Sequence, residues 1–226
     1  MQYENIIIWY ENAINDLKDI LKIVPYNNTN CHVIIPKLAS IIVECGSLLD
    51  TICLSIYSGE KEKPNIKDFK ILYEEKFKLS QIKALIYTEE LTILQPFESW
   101  ENPRIKATTF WWEGYNKLKH DRNDSMNYST LVNAINIISA LSIFLARNNE
   151  LFEVLYRHDL IKSNYNPNFL KQEYEKLWNN SNAECSLENN LLIVPFGKDV
   201  LNLENGSINT YRINSDKLRN YFAKWG

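Results

Sequence analysis

The stretch that most constrains the fold runs over residues 130–146. Leu131, Ala134, Ile135, Ile138, Leu141, Phe144 and Leu145 spread apolar side chains around nearly the whole circumference of a helix. Such a helix needs neighbours on every side, so it is read as a central buried element. Asn133 and Asn136 interrupt the apolar surface and set the segment apart from a membrane span. Residues 33–58 make a second central helix, with Pro36 suited to its first turn. Ser40, Glu44, Ser47 and Thr51 form a thin polar stripe along it. The leading reading of that stripe is a solvent edge. The alternative turns Glu44 toward His120 and Arg122.

Further helical periodicity surrounds these two. Residues 5–23 are amphipathic, residues 65–83 interleave lysines with aromatic residues, and residues 82–95 read as a short helix. Helices are also expected over 149–157 and 168–178. From residue 179 the character changes. Residues 191–196 are strand-like, and Glu204-Asn205-Gly206-Ser207 separates two apolar runs as a hairpin turn would. Ser215 is placed to cap a last helix over 216–225. Six glycines and seven prolines in 226 residues also favour helix over a turn-rich β fold. The expectation is an all-α protein: a bundle of four to five main helices over 1–178, and a small β-hairpin appendage with a terminal helix over 179–226.

A net charge of −3 excludes a broad electrostatic grip on nucleic acid but leaves room for a local basic patch. Cys31, Cys45, Cys53 and Cys185 lack metal-ligand spacing and are read as reduced packing residues. The opening Met1-Gln2-Tyr3-Glu4 has no basic leader, so a cytoplasmic location is expected, with neither membrane association nor a cofactor.

Chemistry gathers in residues 110–122. Two adjacent tryptophans, Trp111 and Trp112, precede Tyr115, Asn116, Lys119, His120 and Arg122. Read as a helix, the segment starts in the core and ends at a polar rim. Asn116 and His120 share one face at i, i+4, where the amide can hold one ring nitrogen of the imidazole. Lys119 and Arg122 beside them suit an anionic group such as a phosphate. The plainer reading is a helix C-terminus, whose dipole favours basic side chains, followed by the breaker Asn123-Asp124-Ser125. Arg104 follows the proline-bracketed loop over 95–103 and is a second arginine near the start of this helix.

Tyr115-Asn116-Lys117-Leu118-Lys119-His120 resembles the signature of the HEPN superfamily. In the family's ribonucleases an arginine, followed by a polar residue, precedes a histidine by a few positions. Asn116 and His120 match the Asn-x-x-x-His half, and Tyr115 stands at the arginine position. The resemblance covers the helical part, from residue 5 to about 157. It implies a homodimer with paired motifs and an RNA-processing or RNA-binding role in bacterial defence or a toxin–antitoxin setting. In its catalytic form this is metal-independent RNA cleavage. Residue by residue, it implies His120 as acid/base, Asn116 as its orienter, and Arg122 and Lys119 as the phosphate clamp. Tyr115 would be a hydrogen-bonding contact, and Arg104 a stand-in for the family arginine. The alternative is a non-catalytic helical scaffold with a protein partner. A weaker third reading takes the pairs His120-Asp121 and His158-Asp159, with His32, as metal ligands of a phosphohydrolase.

Overall fold

A computed structural model describes residues 3–88, 91–104, 106–180, 183–189 and 191–197. Its helices are α1 (Tyr3–Leu21), α2 (Pro36–Ser55), α3 (Ile66–Phe77), α4 (Phe110–His120), α5 (Leu131–Arg147), α6 (Phe152–Arg157) and α7 (Pro167–Leu177). Its strands are β1 (Ala84–Tyr87), β2 (Leu91–Leu94), β3 (Ile161–Ser163), β4 (Cys185–Glu188) and β5 (Leu192–Pro195). The hairpin expected around 204–207 and the helix expected over 216–225 lie outside the described residues.

The fold begins with α5. Thr130 caps it by accepting the amide of Asn133, and all of its residues except Val132 are buried. Most of the polar groups that this buries are satisfied locally, Arg147 being the exception, since it donates to Phe77 O and pairs with Glu175. Ser139 and Ser142 donate to the carbonyls of Ile135 and Ile138, both at 2.8 Å, and Asn136 donates to Val132 O. Helix α2 lies against α5, α1 and α4. It has the length and apolar character of a membrane-crossing helix, yet ten of its residues are buried within the protein, as in a core helix.

The all-α expectation is overturned. Five strands form one antiparallel sheet in the order β2-β1-β5-β4-β3, so the fold mixes α and β. The segment read as a helix over 82–95 is instead the β1–β2 hairpin, with Ala84 opposite Leu94 and Tyr87 opposite Leu91. Four-residue apolar runs look alike in a strand and in a short helix, and periodicity cannot separate them. What decides is a distant partner. Leu85 of β1 pairs with Ile193 of β5, more than a hundred residues along the chain. The strands β4 and β5, from the C-terminal portion, therefore lie in one sheet with β1.

A polar thread ties this sheet to the helices. The buried Tyr10 hydroxyl on α1 lies 2.7 Å from Ser142 Oγ on α5 and accepts from Asn189 Nδ2 at 2.5 Å. Asn189, between β4 and β5, accepts the amides of Leu191 and Leu192. Burying three polar side chains costs free energy unless each is paired, and here each pairs with a different element. Burial pushes the Tyr10 hydroxyl well above its ordinary pKa, so it stays protonated.

Candidate functional site at the end of α4

The first two turns of α4 are anchored in the core. Thr109 accepts the amide of Trp112 and caps the helix. Trp111 is fully buried, donates its indole N–H to Pro96 O at 2.8 Å, and meets Phe97 edge-on at 5.5 Å. Trp112 lies edge-on to Tyr115 at 5.2 Å.

Tyr115 is fully buried. Its ring lies over Gly46 of α2 so closely that a Cβ on Gly46 would fall 2.3 Å from Tyr115 Cδ2. Glycine is required there by close approach. The Tyr115 hydroxyl accepts from Lys119 Nζ at 2.8 Å. The same ammonium lies 5.1 Å from the Tyr115 ring centre and 3.7 Å from Asp50 Oδ2 on α2. These contacts, the Tyr115 hydrogen bond foremost, push the Lys119 pKa above its ordinary value. Residue 115 is thus a packing residue whose polar tip leads to Lys119. Lys119 itself is held back against α2.

The last turn differs. Lys117, His120 and Arg122 are exposed, and none makes a side-chain hydrogen bond or ion pair among the described residues. Asn116 is half-buried, and no hydrogen bond joins it to His120. Asp121 ends the helix in extended backbone and accepts the amide of Asp124 at 3.1 Å, turning the chain away. Arg104 is exposed, and only its backbone amide is engaged, by Asn102 Oδ1. The structure therefore leaves Lys117, His120 and Arg122 exposed at and just beyond the end of α4, folds Tyr115 inward, and ties Lys119 to Tyr115 and Asp50.

Glu44 does not face this rim. It lines a groove between α1 and α2 with Asn5, Ile6 and Trp9, around the helix from Gly46 and Asp50. His158 is also committed elsewhere: Nδ1 lies 3.0 Å from Glu11 Oε2 and Nε2 lies 3.0 Å from Glu4 Oε1. Among the described residues no group of three or more His, Cys, Asp or Glu side chains is arranged to hold a metal ion.

Two members of these arrangements had no usable signal in the sequence. Asp50 sits one turn beyond Gly46, but nothing local says that it meets Lys119. The Glu4–His158–Glu11 contact joins residues about 150 positions apart. Comparison with protein-family models, with curated proteins and with solved structures returns no match.

Proposed function

We propose that this protein binds RNA, and in its catalytic form cleaves it, at the exposed end of α4. One observation carries the reading: Lys117 and His120 in the last turn of α4, and Arg122 just beyond it, are exposed and, among the described residues, unpaired, while the preceding turns of the helix are locked in the core. Cationic side chains free of internal partners can neutralise phosphates, and a rigid support fixes their spacing. The resemblance of Asn116 and His120 to the HEPN signature gives the chemistry. The ribose 2′-OH attacks the adjacent phosphorus, and the bond to the 5′ oxygen breaks. The products are a cyclic phosphate and a 5′-OH. His120 moves the proton, taking it from the 2′-OH or giving one to the leaving oxygen. Arg122 and Lys117 stabilise the charge on the phosphorane oxygens. Among the described residues no group orients the His120 ring, and a homodimer that pairs two such rims is part of the reading.

A second reading is favoured by the burial of Tyr115. At the family's arginine position stands a core aromatic, which suits a non-catalytic module that uses the same rim to hold RNA or a protein partner.

The test is fluorescence anisotropy of a labelled single-stranded RNA against the full chain at several salt concentrations. The double variant Lys117→Ala/Arg122→Ala is expected to weaken binding and to reduce the salt slope by about 1.4, for two lost single-strand phosphate contacts. Absence of binding by the wild-type protein at low salt would overturn the RNA reading.

A further inference from the structure

Helices α1 and α2 run antiparallel: Asp16, late in α1, pairs with Lys37 at the start of α2, whereas Asn5 and Thr51, from the opposite ends, line one groove. Between them lies an open groove of about 420 Å³. This is within the range of pockets that hold small organic ligands. Ile6 and Leu48 are buried in its floor. Trp9, large and apolar, is 50% exposed beside them. An indole that half open on a well-packed helix is a wall lacking a neighbour.

Glu44 is the charged group of this groove. Its carboxylate makes no hydrogen bond or ion pair among the described residues. Lys37, the cation whose charge Glu44 feels, is committed to Asp16 at 2.6 Å. Partial burial, with the Asp16 charge added, pushes the Glu44 pKa upward, as expected for a carboxylate short of countercharge. Thr51 donates its hydroxyl proton to Ser47 O at 2.7 Å, which leaves the hydroxyl oxygen as an acceptor on the rim.

From the apolar floor, the half-exposed indole and the unpaired carboxylate, we propose that the α1–α2 groove binds an organic ammonium ion with an apolar body. The body rests on Ile6 and Leu48. The cation lies against the Trp9 ring and the Glu44 carboxylate. An anion of the same shape is repelled by Glu44. This site is independent of the α4 rim and of the RNA reading.

Phenethylammonium, with phenethyl alcohol as its uncharged counterpart, is titrated into the full chain and followed by NMR of the indole N–H signals. Saturable binding of the ammonium about tenfold tighter than the alcohol is expected. Glu44→Gln removes that preference, Trp9→Ala weakens both probes, and His120→Ala changes neither. Ser47→Lys, which places its own ammonium in the groove, excludes the probe; it decides the matter even if Glu44→Gln fails to fold. The proposal is overturned by equal binding of the two probes, by a preference that survives Glu44→Gln, or by no saturation up to the solubility of the probe.

Discussion

In the first half of α4, Trp111, Trp112 and Tyr115 are buried, hydrogen-bonded or ring-packed, and pressed against a glycine of the neighbouring helix. Within two residues of Tyr115 the same helix presents Lys117, and then His120 and Arg122 follow, all exposed and, among the described residues, unpaired. The contrast separates two demands that a motif in sequence runs together. Residues that place a site must be fixed by packing. Residues that act on a ligand must have unspent hydrogen bonds and charge. Lys119 falls between, since its ammonium is charged but already spent on Tyr115 and Asp50.

The largest effects should come from the packed half. Tyr115→Ala removes a fully buried ring and is expected to cost about 3–5 kcal/mol of unfolding free energy. Gly46→Val drives a side chain into that ring and should cost about 3 kcal/mol. The two together should lose less than the sum, because the ring that Gly46→Val strikes is already gone. Urea unfolding of the four proteins measures the cycle; strict additivity would break the claimed contact. Next in size, Tyr115→Arg places there the arginine of the HEPN signature that the segment resembles but buries a guanidinium, at a cost of about 3 kcal/mol. An unchanged unfolding midpoint would show that position 115 can turn outward. Tyr115→Phe keeps the ring and removes only the acceptor for Lys119, so a loss of about 1 kcal/mol is expected. Smallest are His120→Ala and Arg122→Ala, each within about 0.5 kcal/mol of wild type. A larger loss in either would mean that the rim is structural after all.

The long apolar helices were legible because their periodicity is overdetermined. In α5 most side chains are apolar, and Asn136, Ser139 and Ser142 find acceptors one turn back, which the segment itself supplies. Pro36 in the first turn of α2 is a local signal too. The sheet was not legible, because β1 and β2 are four residues each and their strand character rests on β5, far along the chain. The site was legible by halves. The polar run at the end of α4 marks His120 and Arg122, but the sequence reading takes Lys119 for the clamp, whereas among the described residues it is Lys117 that is left without a partner. The inward position of Tyr115 depends on Gly46, and no pattern in residues 110–122 announces a glycine on another helix. Likewise His158 reads as half of a His-Asp pair until Glu4 and Glu11 are seen on its two ring nitrogens.

The central claim is that the exposed end of α4 acts on RNA while its buried half only positions it. Purified protein is incubated with total RNA and tRNA in excess EDTA, beside His120→Ala shown by circular dichroism to be folded. The account predicts cleavage that persists in EDTA and disappears in His120→Ala, with cyclic phosphate at the new 3′ ends. Cleavage that is equal in both proteins would contradict the catalytic reading, and so would none from either. In the second case RNA binding that is lost in Lys117→Ala/Arg122→Ala would leave the non-catalytic module as the function of the rim.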